Sequence, residues 1–128
     1  MYKRQVIDST KVIKKLAGKA DRVLIDAPCS GLGVIRRNPD SKWKLQPEFV
    51  DNIKQVQQDV LQSYSRMVKA GGKMVYATCS ILPSENQQQV EFFLNSDAGK
   101  DFKFVKDTKV LSHESGFDGF YMALLERN

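Results

Sequence analysis

Two cysteines are the residues of this sequence best suited to chemistry. They lie in two short segments, DAPCSG at residues 26–31 and ATCS at residues 77–80, and the chain contains no other cysteine. A cysteine in its thiolate form is a strong nucleophile that forms covalent intermediates. A free cysteine is equally common as a small apolar residue of a protein core. The positions of the two cysteines on strands and loops therefore have to show whether the thiols have a functional role or a packing role.

Each cysteine follows an apolar segment that is typical of a β-strand. RVLID at residues 22–26 is a continuous apolar run, as in a strand buried on both faces, and KMVYATCS at residues 73–80 is a second one. The spacing between Cys29 and Cys79 leaves room for a crossover helix, so we expect the two strands to be parallel neighbours. Ligands of open parallel sheets bind beyond the carboxyl ends of the strands. Both thiols are therefore expected to face one crevice.

The other elements complete an alternating α/β pattern. From Pro47 to Lys69 apolar residues recur at three- and four-residue spacing, which predicts an amphipathic helix closed by Gly71 and Gly72. The remaining segments are the tail of a strand at residues 6–8, a short helix between Ser9 and Gly18, a helix that starts with a capping box at residues 84–87 and runs to Leu94, a strand at residues 102–107 or 108–112, and a strand at residues 119–127. Only a tight turn region separates the last two strands, so we expect them to pair antiparallel.

Two further features bear on the thiols. Asp26 ends the first strand shortly before Cys29, where its carboxylate would accept hydrogen bonds from a ligand amine, although an acid that caps a loop is common at such a position. The capping box predicted at residues 84–87 follows Cys79 closely. The N–H groups of a helix amino terminus favour a thiolate, so this helix would activate Cys79.

A basic loop, RRNPDSKWK at residues 36–44, follows Cys29. It places four cations around one tryptophan, and the candidate nucleic-acid-binding residues are Arg36, Arg37, Lys42, Trp43 and Lys44. Cations of this kind bind phosphates, and an aromatic ring among them stacks on a base. The alternative is a solvated basic loop in which Trp43 packs as a lid on the core.

Composition and charge limit the other possibilities. The 128 residues have the length of one domain, and 20 Lys and Arg residues against 15 Asp and Glu residues give a net charge of +5. That excess favours an anionic partner such as nucleic acid, although a modest positive charge is common. Without a long apolar run or a leader segment, we expect a cytoplasmic protein with reduced thiols and no membrane span. One histidine, His113, and two distant cysteines do not suit a metal site.

Two longer segments carry a specific resemblance. DAPCSGLGVIRRNPDSKW together with GGKMVYATCSILPSENQQQVEFFL resembles the catalytic half of the RNA (cytosine-5) methyltransferases of the Fmu/Sun/RsmB-like group, and GFDGFYMALLER is similar to the last strand of that family. The likeness covers residues 6–127, and the paired PCSG and TCS motifs are its most specific part. It implies a Rossmann-like class I methyltransferase that uses S-adenosyl-L-methionine to methylate RNA, with ribosomal RNA ahead of transfer RNA as the expected substrate.

The resemblance also implies roles for single residues. Cys79, the cysteine of TCS, would be the nucleophile that adds to C6 of cytosine, and Cys29, the cysteine of PCS, would assist release of the methylated product. In DNA cytosine-5 enzymes the cysteine of a Pro-Cys pair is the nucleophile, so the opposite assignment is the variant to exclude. Asp26 would contact the cofactor and the target base, and Pro28 and Asp8 would contribute to cofactor binding.

The family likeness describes part of a larger domain. The glycine-rich cofactor loop of the family and its ribose-binding acid would precede this sequence, and residues 1–5, MYKRQ, look like a non-native leader. We expect residues 6–128 to be the C-terminal part of one catalytic domain, monomeric in the whole enzyme and inactive in isolation. Of the class I strand order 3-2-1-4-5-7-6 this part would keep 4-5-7-6, with strand 7 antiparallel and helices on both faces of a three-layer fold.

Two other classes of function remain open. A non-catalytic RNA-binding module would use the basic loop and Trp43, and it would tolerate serine at both cysteines without losing RNA affinity. A thiol redox protein would use Cys29 and Cys79 as a reversible pair, but the chain has no CxxC motif.

Overall fold

The computed structural model describes Ile7 and residues 10–128, in which helices and strands alternate along the chain. In chain order the elements are α1 (Thr10–Lys15), β1 (Ala20–Asp26), α2 (Ser41–Lys44), α3 (Pro47–Tyr64), β2 (Val68–Thr78), α4 (Gln87–Leu94), β3 (Phe102–Val110), α5 (Ser112–Ser115) and β4 (Phe120–Arg127). The leader at residues 1–5, and all but Ile7 of the strand tail at residues 6–8, lie outside the described residues. No helix in the described part is long and apolar enough to cross a membrane.

The four strands form one mixed sheet in the order β1-β2-β4-β3. β1 runs parallel to β2, whereas β4 runs antiparallel to both β2 and β3. This is the 4-5-7-6 arrangement predicted from the sequence, with its antiparallel last strand, and the α/β class is confirmed. The register places Asp26 opposite Ala77 at the carboxyl ends of β1 and β2. The loops that carry the two cysteines therefore leave the sheet side by side.

One face of the sheet packs against α3 and α4. Residues two apart on a strand share a face, and the strand residues buried on this one are Ile25, Met74, Tyr76, Ala123 and Leu125. The helices contribute Leu61 from α3 and Val90 and Phe93 from α4 to the same cluster. Burying a large apolar side chain fully contributes about 1.5–3 kcal/mol, so this layer anchors both strands that lead to the cysteines.

The opposite face of the sheet carries the row Leu24, Val75 and Leu124, which the register pairs side by side. Leu24 is 70% exposed, so RVLID, whose apolar run is typical of a strand buried on both faces, has one face open as an apolar edge strand in this chain. β1 is the outer strand of the sheet that the described residues form, and Leu24 has a neighbouring strand on one side only.

The central helix is shorter than its apolar periodicity predicts. α3 ends at Tyr64 rather than Lys69, because a 3-10 turn follows it and leads into β2. β2 begins at Val68, and Gly71 and Gly72 lie inside this strand instead of closing the helix. Gly71 has a φ of 72°, and the register between β1 and β2 shifts beside it. The glycines therefore allow an irregularity in the strand that periodicity alone does not reveal.

The capping box predicted at residues 84–87 does not form. α4 begins at Gln87, with Asn86 in the N-cap position and no side-chain hydrogen bond to the helix N–H groups. Residues 83–86 form a turn instead, and Glu85 and Asn86 direct their side chains to Ser80. The contacts to the segment after Cys79 thus come from side chains of this turn, and not from a capped helix terminus.

The last two strands pair antiparallel, as predicted. β3 covers all of the first segment proposed for it and the start of the second, with a register shift between Phe104 and Lys106. The connection from β3 to β4 is longer than a tight turn because it contains α5. Its last residues return to the loop that follows β1, where the N–H of Gly119 donates to the carbonyl of Gly33.

Candidate functional site

The two thiols lie next to each other at the carboxyl ends of β1 and β2. The Sγ atoms of Cys29 and Cys79 are 3.0 Å apart, and both cysteines are free and half-buried. Cys29 lies in the loop that follows β1, and Cys79 directly follows β2. The structure thus brings together the two residues that the strand positions predicted to share one crevice.

Burial gives Cys29 a distinct protonation behaviour. Burial first, and then the hydrogen bond with Cys79, raise the pKa of the Cys29 thiol from 9.0 to about 12. Cys29 therefore keeps its proton at neutral pH. Its S–H group is available to donate a hydrogen bond to the sulfur of Cys79.

Of the predicted cofactor residues, two are described. Asp26 is the exposed last residue of β1, and within the described residues its carboxylate makes no hydrogen bond or ion pair. Pro28 is also exposed, and its carbonyl oxygen accepts a hydrogen bond of 2.9 Å from the Gln57 side chain. Asp8 lies outside the described residues.

A buried carboxylate, Glu85, ties the two cysteine loops together. Its Oε1 accepts hydrogen bonds from the backbone N–H of Ser30 at 2.7 Å and from Gln57 Nε2 at 3.1 Å. Its Oε2 accepts from the hydroxyl of Ser30 at 2.6 Å and from the hydroxyl of Ser80. Ser30 follows Cys29 and Ser80 follows Cys79, so one side chain contacts the residue after each thiol.

Hydrogen bonds to β2 hold the Glu85 turn in place. The hydroxyl of Tyr76 donates to the carbonyl oxygen of Glu85 at 2.7 Å. The side chain of Asn86 donates to the carbonyl oxygen of Ser80 at 2.8 Å and accepts a hydrogen bond from Thr78. The turn is thus fixed to the end of the strand that carries Cys79.

Glu85 and Gln57 were not predicted as site residues from the sequence. A signal for Gln57 exists: it lies one turn after Ile53 and one turn before Leu61 on α3, where an apolar residue is expected, and it is fully buried. The capping box predicted at residues 84–87 assigned no role to the Glu85 side chain. Its direction toward Ser30 depends on a contact between residues 55 positions apart in sequence, which no local pattern predicts.

The basic loop is exposed to solvent, and its two arginines pair with groups of a neighbouring segment. Arg37 Nε lies 2.6 Å from Asp118, and Arg36 reaches the same carboxylate at 3.9 Å and donates to the carbonyl of Gly116 at 3.0 Å. These partners belong to the connection between β3 and β4. The loop after β1 and this connection therefore form one surface beside the cysteines.

The second half of the basic loop presents an aromatic ring to solvent. Trp43 is 77% exposed, so the alternative in which it forms a lid on the core is wrong. The ammonium group of Lys42 lies 4.9 Å from the centre of the Trp43 ring, and Lys44 pairs with Asp40 at 3.3 Å. An exposed indole with a cation beside it suits stacking on a base next to a phosphate.

Two glycines allow the three loops of the site to cross closely. The N–H of Gly33 donates to the carbonyl of Cys79 at 2.9 Å, and the N–H of Gly119 donates to the carbonyl of Gly33 at 2.7 Å. A Cβ atom at Gly33 would lie 2.7 Å from the Cys79 oxygen and closer still to the Gly119 oxygen. Only a residue without a side chain fits between these two backbone segments.

We expect Gly33→Ala to lower the free energy of unfolding by about 1–3 kcal/mol, because the added methyl group meets fixed backbone atoms. The urea midpoint measures this loss. Gly116→Ala is the matched control, since a Cβ there enters open space and only the left-handed φ of 76° opposes it. Alkylation of Cys79 should change in Gly33→Ala and stay constant in the control. A Gly33→Ala chain as stable as wild type would show that the loops do not need this close approach.

The described residues contain no cluster of three His, Cys, Asp or Glu side chains that could hold a metal ion. His113 lies on the exposed surface of α5, where its nearest acidic partner is Glu114 at 3.6 Å. The groups that the described residues bring to this site are two thiols, an exposed carboxylate at Asp26 and a hydrogen-bonded carboxylate at Glu85.

Comparison with known proteins places this geometry in a family. A family model described as 16S rRNA methyltransferase RsmB/F matches residues 3–126. The ribosomal RNA small subunit methyltransferase B of Proteus mirabilis is 45% identical over 109 residues, which are 84% of this chain and 25% of the relative. The protein of the same name from Pasteurella multocida is 39% identical over 125 residues, 91% of this chain and 28% of the relative. This chain thus spans between 25% and 28% of the length of these two relatives.

Solved structures show the same fold. The crystal structure of PH0851 superposes with a TM-score of 0.82 at 35% identity, over 87% of this chain and 27% of that chain. NSun6 from Pyrococcus horikoshii, solved with SFG, superposes with a TM-score of 0.78 at 24% identity, over 95% of this chain and 34% of that chain. With a family match that covers nearly the whole sequence, and with the predicted strand order and paired thiols in place, this chain belongs to the RsmB/F family of 16S rRNA methyltransferases.

Proposed function

We propose that this chain supplies the catalytic cysteines of an enzyme that methylates C5 of cytosine in RNA. The observation that carries the proposal is the 3.0 Å separation of Cys29 and Cys79 at the carboxyl ends of two parallel strands, in a chain of a methyltransferase family. A thiol nucleophile suits this reaction because C5 of cytosine is a poor nucleophile and has to be activated through a covalent bond at C6. A second thiol beside the first can assist the later release of the product.

In the proposed reaction Cys79 is the nucleophile. Its thiolate adds to C6 of cytosine, the electron pair of the C5–C6 double bond moves toward C5, and C5 then attacks the methyl donor. The C5 proton is removed afterwards, the double bond re-forms, and the bond between C6 and the Cys79 sulfur breaks. The thiolate is thus regenerated, and one proton is released for each methyl group transferred.

Cys29 is proposed to assist the last of these steps. Its raised pKa keeps a proton on its sulfur at neutral pH, next to the Cys79 sulfur that has to leave. A hydrogen bond from a protonated thiol stabilises a departing thiolate.

The described residues fit a part of the site for S-adenosylmethionine. Bound there, this cofactor would supply a methyl group activated by a sulfonium cation. The Asp26 carboxylate is exposed and has no hydrogen-bond partner in the described part of the chain, so it is free to accept hydrogen bonds from the cofactor and the base. Pro28 lies exposed beside it. Asp8 is proposed for the adenine side of the same site.

The basic loop is proposed to hold the RNA. Its exposed Trp43 offers a stacking surface, and Lys42 beside it offers a cation for a phosphate. Arg36 and Arg37, which both reach the carboxylate of Asp118, add further positive charge to the loop. The target cytosine has to leave its stack to reach thiols that are half-buried. Ribosomal RNA is the proposed substrate because relatives bear the name ribosomal RNA small subunit methyltransferase B, and transfer RNA is the alternative.

Since this chain matches only a part of its relatives, the proposed enzyme is the longer protein. Residues 6–128 would be the C-terminal part of its catalytic domain, and the rest of the cofactor site would come from other residues of that protein. We propose that this enzyme works in the cytoplasm as a monomer and that the 128 residues alone do not turn over.

Methyl transfer by the full-length protein that carries this chain tests the proposal. The protein is incubated with small-subunit ribosomal RNA and S-adenosylmethionine labelled in its methyl group, and the RNA is digested to nucleosides. The label is expected in 5-methylcytidine. Label in a different nucleoside would contradict cytosine C5 as the target. RNA binding without any methylation would favour the non-catalytic RNA-binding module instead.

We expect Trp43→Ala to weaken RNA binding by about 1–3 kcal/mol, because a stacked base loses its aromatic partner. Fluorescence anisotropy at a fixed salt concentration measures the affinity. Phe92→Ala is the matched control, since Phe92 is an aromatic residue of α4 that is 48% exposed and lies outside the basic loop. Equal affinities of Trp43→Ala and wild type would remove Trp43 from the RNA surface.

A further inference from the structure

We propose that Glu85 is a positioning residue that holds the Cys29 loop against the Cys79 loop and so sets the separation of the two sulfurs. The inference deepens, and rests on, the proposed function of this site. It concerns a residue that makes no hydrogen bond to either sulfur and lies six residues beyond Cys79 in the sequence.

The contacts of Glu85 join separate parts of the chain. Four donors reach its two carboxylate oxygens, and they belong to the loop after β1, to α3 and to the segment after β2. Ser30 contributes both its backbone N–H and its hydroxyl group. A second link comes from Gln57, which donates to Glu85 and to the carbonyl of Pro28, the residue before Cys29. The Cys29 loop is therefore held on both sides of the thiol.

The burial of Glu85 supports a role in positioning the two cysteine loops. The side chain is fully buried, and within the described residues no cation lies within ion-pair distance of it. A buried carboxylate is unfavourable unless hydrogen bonds satisfy it. An apolar side chain would fill the same space without that penalty, but it would leave the two cysteine loops without a shared partner. The carboxylate adds a hydrogen-bond acceptor that both cysteine loops share.

The donors also explain why a carboxylate is required here. An ionised carboxylate only accepts hydrogen bonds, and all four groups around Glu85 donate. In Glu85→Gln an amide nitrogen replaces one of the accepting oxygens. The hydroxyls of Ser30 and Ser80 can rotate to adapt, but the backbone N–H of Ser30 cannot. With its amide oxygen facing the N–H groups of Ser30 and Gln57, the glutamine variant keeps the shape of the side chain, but its bonds to the two serine hydroxyls reverse direction and all four bonds lose the charge of the carboxylate.

The test measures how fast the Cys29–Cys79 disulfide forms in the whole 128-residue chain after diamide is added. The two thiols give up two electrons and two protons, and diamide is reduced to its hydrazine. Because the rate depends on how the sulfurs are held, Glu85→Gln is expected to slow disulfide formation by about 10- to 100-fold. Glu85→Asp, which keeps both accepting oxygens on a shorter arm, should recover part of this loss.

Gln89→Leu is the matched control. Gln89 is buried near the same turn and donates to the carbonyl of Ser84 at 2.9 Å, but its hydrogen bond does not reach a cysteine loop. Its disulfide rate should equal that of wild type even if its urea midpoint falls. A purely structural role of Glu85 predicts instead that rates follow the urea midpoints in all variants.

If Glu85→Gln does not fold, the disulfide rate of Gln57→Leu tests the proposal instead. It removes the link to Pro28 and one link to Glu85 while placing an apolar residue in the core, and slower disulfide formation would support the proposal. Wild-type rates in the folded variants would overturn it. Failure of the proposed function is seen separately, since full-length wild-type protein would then fail to methylate RNA while Glu85→Gln still formed the disulfide slowly.

Discussion

Replacing Cys79 by alanine is expected to abolish the covalent adduct that we propose the full-length protein to form with RNA containing 5-fluorocytosine. Fluorine at C5 cannot leave as a proton, so the adduct between C6 and the nucleophilic sulfur persists and migrates as a protein–RNA complex in a denaturing gel. Without the nucleophile, methylation of ordinary RNA should fall by at least about 10⁴-fold. RNA affinity should stay close to that of wild type, because Cys79 is half-buried and lies outside the basic loop.

Cys29→Ala provides the matched comparison, because it removes the other sulfur of the same pair, 3.0 Å away. This variant should still form the adduct with 5-fluorocytosine, and with ordinary RNA it should accumulate an adduct that wild type releases. An adduct that is lost in Cys29→Ala and kept in Cys79→Ala would reverse the two roles and follow the DNA-enzyme pattern. A wild-type protein that binds RNA without forming any adduct would contradict covalent catalysis altogether.

The strands of this fold could be predicted from the sequence because their apolar runs are continuous and end at polar residues. The strand before Cys29 ends at Asp26 as predicted, whereas the strand that leads to Cys79 ends at Thr78, two residues before the predicted Ser80. These two ends place the thiols. The helix boundary predicted at Lys69 is wrong because apolar periodicity continues from α3 through a 3-10 turn into β2, where Val68 is buried as a strand residue. Periodicity reports which residues face the core, but it does not report which element carries them.

The site could be predicted only where one short segment contains the signal. The positions of Cys29 and Cys79 relative to their strands were sufficient to bring the thiols together. The contacts of Glu85 and the close backbone approach at Gly33 could not be predicted, since each depends on loops that are distant in sequence. The basic loop could be located from its composition, but its ion pairs with Asp118 require knowledge of how the β3–β4 connection folds back.

Alkylation of Cys29 by iodoacetamide is expected to be slow in the native chain. The pKa of about 12, against 9.0 for an unperturbed thiol, leaves roughly 10³-fold less thiolate at pH 8. Mass spectrometry of tryptic peptides resolves the two sites, because Cys29 lies in the peptide of residues 23–36 and Cys79 in that of residues 74–100. In urea, where burial is lost, Cys29 should react as an ordinary thiol, and this provides the internal control.

The pH dependence of this alkylation separates a raised pKa from simple shielding of the sulfur. The group is an acid whose pKa is raised in the folded state, so its thiolate appears only as the pH approaches 12. The rate in the native chain should therefore rise about tenfold for each pH unit from about 8 to 11 without levelling off, whereas the unfolded chain levels off above about pH 9. The same shift makes folding less favourable as the pH rises from 9.0 toward about 12, so the measurement is confined to the range in which circular dichroism shows native structure. A native rate that levels off near pH 9.0 would show that Cys29 titrates normally and that burial does not raise its pKa.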